Sequence, residues 1–334
     1  MVLKSLLKGV LTNIPGAEPL LRQRITGGTN SASYAYDVWM KHLTLLWANG
    51  LRTIPETVAE LGPGDSLGIG LAAMLCGARR YWALDVQEYA NPAANLLVFD
   101  QLVELFRARA PRPTAGWPDF DQYLDRRLFP SHILTEAVLS ASLAESRIRK
   151  IRDAIVNPGQ PKDGMSVTYI VPWSDAGVIV RGSVDLVLSQ SVLEHVVDLE
   201  GTYRALALWL KPGGRMSHQI DFDSHGIASA WNGYRAYSET FWRILLGKRL
   251  YMINREPPST HLRLLEANGF HVTCLMQAMR TDGIDRSRLA PRWRGLSDQD
   301  LNCSGVFVQA QQASTTSPGT RAPLLVNEVE AVLS

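Results

Sequence analysis

The chain has 334 residues, of which 34 are lysine or arginine and 32 are aspartate or glutamate, so its formal net charge is +2. A hydrophobic fraction of 46% and a charged fraction of 20% are ordinary for a globular protein and exclude a mostly disordered or fibrous chain. The small net charge lacks the signature of a dedicated nucleic-acid binder. No stretch approaches the roughly 20 apolar residues that a membrane-spanning helix needs.

Two N-terminal helices are expected within a segment of residues 1–50. Val2 to Leu11 is apolar and basic and precedes the breaker Pro15-Gly16, and Ala32 to Ala48 is rich in aromatic residues. We expect the first helix to pack on its own domain. Because apolar and basic residues together suit a lipid interface, peripheral contact with a membrane surface stays open as an alternative.

Strands and helices then alternate through residues 51–310, which we expect to form the main domain. Seven strands are predicted: Thr57–Leu61, Tyr81–Leu84, Val167–Val171, Val184–Ser189, Arg215–Ile220, His271–Met276 and Gly305–Ala310. Helices are predicted at Leu67–Cys76, Ala93–Arg109, Thr135–Ile155, Leu199–Leu210 and Thr260–Asn268. This alternation predicts a Rossmann-like α/β fold, with a seven-stranded, mostly parallel sheet and helices on both faces.

One interval is too long for a single crossover. The residues between Asp85 and Val167 far exceed that length, so we expect a helical insertion at about residues 91–165. Together with the N-terminal helices it is expected to form a lid over one end of the sheet. The tail, residues 311–334, is expected to be disordered.

A glycine-rich loop joins the first strand to the first following helix. It contains Glu60, Gly62, Gly64 and Asp65, and Asp85 stands at the tip of the second strand. Glycines let the backbone approach a ligand, and a carboxylate at the next strand tip can accept both hydroxyl protons of a ribose. These features alone fit a nicotinamide or an adenosyl-sulfonium ligand. A carboxylate beside the loop, at Glu60, favours a positively charged ligand.

Two further motifs follow in order, "VDLVLSQSVLEHV" at residues 184–196 and "LKPGG" at residues 210–214. With the loop and Asp85, this order resembles the class I S-adenosylmethionine-dependent methyltransferases from Thr57 to Ala310, outside the insertion. The resemblance implies S-adenosyl-L-methionine as cofactor and S-adenosyl-L-homocysteine as product. It implies that the following residues bind the cofactor: Glu60, Gly62, Gly64 and Asp65 at its methionine part, Asp85 at its ribose, and Ser189 and Gln190 at the fourth strand tip.

Methylation of a hydroxyl needs a group that accepts its proton. The candidates are His195, after the fourth strand, and the cluster of His218, Asp221 and His225 that begins in the fifth strand. We expect His218 or His225 to be the base, with Asp221 as its partner, and keep His195 as a further catalytic candidate.

The same residue types suit a divalent metal. In ubiquinone-pathway O-methyltransferases, a pair similar to Glu194-His195 holds a metal with another glutamate three positions earlier. Ser191 stands at that position here. The ligand set is therefore incomplete by sequence, so a divalent metal is allowed but not expected.

The sequence thus predicts a cytoplasmic biosynthetic enzyme that methylates an oxygen of a small-molecule, sugar or polysaccharide acceptor with a His/Asp general base. Three widely spaced cysteines, Cys76, Cys274 and Cys303, fit a reducing compartment. The alternatives are a non-catalytic cofactor-binding module and, less favoured, an NAD(P)-dependent oxidoreductase. No nucleic-acid partner and at most peripheral membrane contact are expected, and the sequence leaves the oligomeric state open.

Overall fold

Seven strands form a single sheet in the computed structural model, which describes residues 2–14, 29–112, 128–173, 175–249 and 252–313. The strands are β1 (Thr57–Leu61), β2 (Arg80–Leu84), β3 (Ser166–Ile170), β4 (Val184–Gln190), β5 (Leu210–Asp221), β6 (Phe270–Met279) and β7 (Cys303–Gln312). Their order is β3-β2-β1-β4-β5-β7-β6. The first five strands run parallel, and β7 is antiparallel to both β5 and β6.

Helices cover both faces of this sheet. They are α1 (Val2–Leu11), α2 (Ala32–Ala48), α3 (Gly68–Cys76), α4 (Pro92–Arg107), α5 (Glu136–Ser142), α6 (Glu145–Val156), α7 (Leu199–Trp209), α8 (Glu239–Leu246), α9 (Pro258–Ala267) and α10 (Asp298–Asn302). Helices α2 to α6 share one apolar cluster with Leu186 and Leu188 of β4, whereas α7 and α9 share another with Val187. Alternating side chains therefore serve opposite faces. The predicted fold class, a mostly parallel seven-stranded sheet with helices on both faces, is confirmed.

The strand order reverses at β1, which lies between β2 and β4. In open α/β sheets, ligands bind beyond the carboxyl ends of the strands at such a reversal. The glycine loop follows β1, Asp85 follows β2, and the motif at residues 184–196 contains β4. The fold thus collects these motifs at one edge of the sheet.

Two elements differ from their predicted form. The "LKPGG" residues do not precede the fifth strand: β5 already begins at Leu210, which pairs with Val184. The next pair is Leu186 with Arg215, so the intervening residues bulge, and Gly213 takes a φ of +78° there. The helix predicted at Thr135–Ile155 is divided into α5 and α6.

The region expected to be an inserted lid supplies core packing. Phe99 and Phe106 of α4 and Ile151 of α6 are fully buried in the same apolar cluster as α2 and α3. These helices therefore cover a face of the sheet rather than its end. No helix among the described residues is long and apolar enough to cross a membrane. Of the tail, only residues 311–313 are described, and residues 311 and 312 complete β7.

Candidate active site

The turn after β1 is built from glycines in the left-handed region. Gly62 has a φ of +62° and Gly64 a φ of +73°, which side chains rarely adopt. The backbone N–H of Gly62 donates to the carbonyl of Leu84, at the end of β2, over 2.8 Å. A Cβ at Gly62 would lie 2.6 Å from Cγ2 of Val192, beyond β4. The turn therefore packs directly against the loop that follows β4.

Asp85 faces this turn from the tip of β2. Only 7% of the residue is exposed. Its carboxylate accepts hydrogen bonds from the backbone N–H groups of Gly64, at 3.3 Å, and Val86, at 2.7 Å. Burial raises its pKa to about 6, although these backbone donors oppose the shift. The carboxylate is thereby oriented beside the glycine turn, where it can accept hydrogen bonds from ligand hydroxyl groups.

Glu60 has its partners inside the core. Its carboxylate accepts hydrogen bonds from the Tyr81 hydroxyl, at 2.5 Å, and from the Gly70 backbone N–H, at 3.2 Å. Burial raises its pKa to about 7. A Cβ at Gly70 would lie 2.0 Å from the Tyr81 ring, so only glycine lets the helix approach this closely. Glu60 thus ties the first turn of α3 to β1 and β2, behind the glycine turn.

Thr29, which precedes α2, contacts the glycine-rich loop after β1. Thr29 accepts a hydrogen bond on Oγ1 from the Asp65 N–H, at 2.6 Å, and its carbonyl accepts one from the Ser66 hydroxyl, at 2.5 Å. Burial raises the pKa of Tyr34 to about 12, with further contributions from Glu60 and Glu194. Thr29 and Asp65 are 36 residues apart in the chain, so the sequence gave no signal for this contact.

The end of β4 contains two hydrogen-bonded pairs, of which the first is buried and the second partly buried. Oγ of Ser189 lies 2.8 Å from Nδ1 of His218, and Oε1 of Gln190 lies 3.2 Å from Nε2 of His42 on α2. His218 is fully buried within β5, and burial lowers its pKa to about 3. His218 is therefore a neutral histidine inside the sheet at ordinary pH. Gln190 is anchored by a helix that is distant in sequence.

A second group of ionisable side chains gathers beyond β4 and β5. Nε2 of His225 lies 3.7 Å from Oδ2 of Asp221, and the rings of His225 and His195 have centroids 5.4 Å apart. One potential ligand atom from each of Glu194, His195 and His225 lies within 4.8 Å of the others. Side chains from two separate loops thus converge, and we call Glu194, His195, Asp221 and His225 the histidine–carboxylate cluster.

Glu194 is the buried member of this cluster, with 2% of the residue exposed. Backbone groups of Glu194 and Asp221 approach its carboxylate, but neither oxygen has a hydrogen bond of ordinary geometry. Burial and the nearby Asp221 carboxylate raise the pKa of Glu194 well above its usual range. An unsatisfied buried carboxylate is costly, so this group is poised to receive a partner.

Asn254 holds the short turn that carries Glu194 and His195. Its side-chain amide donates to the carbonyls of Leu193 and Val196, both at 2.8 Å. Its backbone N–H donates to the carbonyl of Glu194 at 2.6 Å. Because Asn254 lies far from the turn in sequence, sequence spacing gave no signal for this contact.

A family model described as a methyltransferase domain matches residues 162–217. This stretch contains β3, β4, α7 and the first part of β5, beside the strands that carry the glycine turn and Asp85. The chain is an S-adenosylmethionine-dependent methyltransferase. S-adenosylmethionine is accordingly its cofactor.

The methyltransferase also has solved structural neighbours. One is an S-adenosylmethionine-dependent methyltransferase from Mesorhizobium loti, with 15% identity, coverage of 80% of this chain and 96% of that chain, and a TM-score of 0.39. Another is phosphoethanolamine N-methyltransferase 2 from Haemonchus contortus, with 14% identity, coverage of 90% and 60%, and a TM-score of 0.42. A third is geranyl diphosphate C-methyltransferase from Streptomyces coelicolor A3(2), with 13% identity, coverage of 84% and 78%, and a TM-score of 0.41. No curated protein matches the chain in sequence.

Most of the predicted site residues lie at one edge of the sheet. Gly62, Gly64 and Asp85 meet around the turn after β1. Asp221, His225 and His195 meet beyond β4 and β5. His218 does not join them, because it pairs with Ser189 within the sheet and its side chain is fully buried there.

Proposed function

We propose that this methyltransferase methylates a hydroxyl group of a small-molecule or sugar acceptor. One observation carries the proposal: the histidine–carboxylate cluster lies next to the glycine turn, because Val192 contacts Gly62 and Glu194 follows two residues later. A hydroxyl loses its proton as its oxygen is methylated, and imidazole and carboxylate groups are suited to accept that proton.

The glycine turn and Asp85 fit the cofactor chemically. We assign Gly62, Gly64 and Asp65 to its methionine part and Asp85 to its ribose, where the buried carboxylate would accept two hydroxyl hydrogen bonds. Ser189 and Gln190 would border it at the end of β4. Bound S-adenosylmethionine supplies a methyl group activated by the adjacent sulfonium. Glu60 acts from behind the turn, through Gly70 and Tyr81.

The Asp221–His225 pair is assigned as the proton acceptor. Both side chains are more than one-third exposed, at 37% and 36%, so an acceptor can reach them. Asp221 also accepts a hydrogen bond from the Asp223 N–H at 2.8 Å, which orients the carboxylate. His195 borders the pair through its ring contact with His225. His218 receives no such role, because it is fully buried.

A screen of methyl transfer from labelled S-adenosylmethionine tests this function. Glycans, phenols and acidic metabolites are offered as acceptors, and mass spectrometry locates the added methyl group. We expect an O-methyl product. An N- or C-methyl product would contradict the acceptor assignment, and binding of S-adenosylhomocysteine without any turnover would favour the non-catalytic alternative.

We also propose that the enzyme acts in the cytoplasm. Cys76, Cys274 and Cys303 are all buried free thiols, which supports a reducing compartment. Fractionation of cells that produce the protein tests this location, and recovery in an exported fraction would contradict it.

A further inference from the structure

The Glu194 carboxylate is almost completely removed from water, yet neither of its oxygens has a hydrogen bond of ordinary geometry. Natural structures rarely leave such a group without a partner, because desolvation of a carboxylate is strongly unfavourable. The Asp221 carboxylate belongs to the same cluster, through its contact with His225. A bound cation would give the buried Glu194 carboxylate the partner that it lacks.

The neighbouring histidines offer what a cation needs. One atom from each of Glu194, His195 and His225 lies within 4.8 Å of the other two. Ligand atoms around a tetrahedral zinc ion are about 3.4 Å apart, given bonds of about 2.0–2.2 Å. The distances between the three atoms therefore need to shorten by about an ångström. Movement of the exposed His225 side chain on its loop can supply this change.

Part of this arrangement is already fixed before any ion binds. Asn254 pins the Leu193–His195 turn by three hydrogen bonds. Oδ2 of Asp221 lies 3.7 Å from Nε2 of His225. A carboxylate behind a histidine is the usual support for a metal ligand, because it orients the ring. The structure brings His225 to Glu194 and His195 from the loop that follows β5.

We propose that Glu194, His195 and His225 bind one divalent transition-metal ion. Two imidazoles and one carboxylate suit Zn²⁺ or Co²⁺, whereas Mg²⁺ prefers a set made of oxygen ligands. Three protein ligands leave at least one position for an acceptor oxygen.

The role of this ion in catalysis depends on the proposed function, although its binding does not. An acceptor hydroxyl bound to the ion loses its proton more readily. With such an ion bound, His225 would ligate it, and Asp221 would remain as the group of the pair that takes the proton. The acceptor oxygen forms its new bond to the methyl carbon while the carbon–sulfur bond of the donor breaks, and the electron pair leaves with the sulfur.

The test uses the full chain, freed of metal with a chelator and dialysed. Zn²⁺ is titrated by calorimetry and Co²⁺ by visible absorption, whose d–d bands report coordination by nitrogen and oxygen. We expect one ion per chain and at least tenfold weaker binding in Glu194→Gln and in His225→Gln. Asp223→Asn, a carboxylate on the same loop but outside the cluster, is the matched control and should bind as the wild type does.

Each outcome decides the question. Absence of stoichiometric binding, or equal binding by wild type and both cluster variants, overturns the proposal. Because His225 is exposed, its variant separates lost ligation from misfolding, and unchanged S-adenosylhomocysteine affinity verifies the fold. Full O-methylation in excess chelator would defeat the catalytic role of the ion while leaving the proposed function intact. Metal binding without any methyl transfer would contradict the proposed function while leaving the proposed metal site intact.

Discussion

The glycine turn and the histidine–carboxylate cluster lie side by side but are assembled differently. The turn and Asp85 come from consecutive elements, β1, α3 and β2, and their contacts involve mainly backbone groups. The cluster takes Glu194 and His195 from the turn after β4, Asp221 from the end of β5 and His225 from the loop after β5. Asn254 supports it from another segment. Side chains, rather than the backbone, form this second site.

This difference explains what each site can tolerate. A backbone cradle depends on φ angles and close packing, so single side-chain changes alter it little unless they fill space that glycine leaves open. A site made of converging side chains loses function with any one of them. Substitutions at the cluster should therefore reduce turnover sharply, whereas substitutions around the turn should mainly change stability and cofactor affinity.

The largest effect is expected at His225. His225→Gln should lower turnover by about 10²- to 10⁴-fold, the usual contribution of general acid–base catalysis, and leave S-adenosylhomocysteine affinity unchanged. Steady-state kinetics and calorimetry measure the two quantities. His271→Gln, at an exposed histidine of β6, should keep full turnover. If His218→Gln lost turnover and His225→Gln did not, the base would be His218 on β5.

The next effect concerns the stability of the core behind the turn. Burial raises the pKa of Glu60 from 4.5 to about 7, so the folded chain retains a proton that the unfolded chain releases between these pH values. Wild-type stability should therefore fall as pH rises through that window, by about 3 kcal/mol relative to Glu60→Gln. Denaturant unfolding at several pH values measures this difference. Glu104→Gln, at an exposed position of α4, should show no such trend. If the stability difference between wild type and Glu60→Gln did not change with pH, the raised pKa of Glu60 would be refuted.

Asp85 should have a smaller effect, confined to the cofactor. Asp85→Ala removes charged hydrogen-bond acceptors worth about 1.5–3 kcal/mol, so S-adenosylhomocysteine should bind about ten- to a hundredfold more weakly. Calorimetry measures the affinity, with Asp153→Ala, an exposed carboxylate on α6, as control. Equal affinities for wild type and Asp85→Ala would remove the ribose assignment.

The smallest effect should arise where the two sites touch. Gly62→Ala places a Cβ against Val192 at a positive φ and should destabilise the fold by about 1–3 kcal/mol. Val192→Ala in the same chain should recover the stability lost to the clash, but not the stability lost to backbone strain. A thermal-unfolding double-mutant cycle measures this coupling. Additive effects would mean that the turn and the β4 loop are independent.

The glycine turn is easier to predict from the sequence than the histidine–carboxylate cluster, because its constraints are local. A glycine turn after a strand and an acidic strand tip are defined by spacing along the chain. His218 and His225 look equivalent in sequence, since both flank Asp221. Only the pairing of His218 with Ser189 in the sheet shows that its side chain is buried. The contacts of Thr29 with the loop and of Asn254 with the turn join residues far apart in sequence, so no spacing pattern reveals them.

Strand β7 has a consequence for how the chain is made. It lies between β5 and β6 and pairs with both, yet it is the last of the seven strands to leave the ribosome. Until residues 303–312 emerge, the edges of β5 and β6 remain unpaired. Open strand edges recruit other chains, so the nascent protein is exposed to aggregation until residues 303–312 have been made and have paired. Premature termination ahead of β7 should therefore yield insoluble material instead of a smaller, working enzyme.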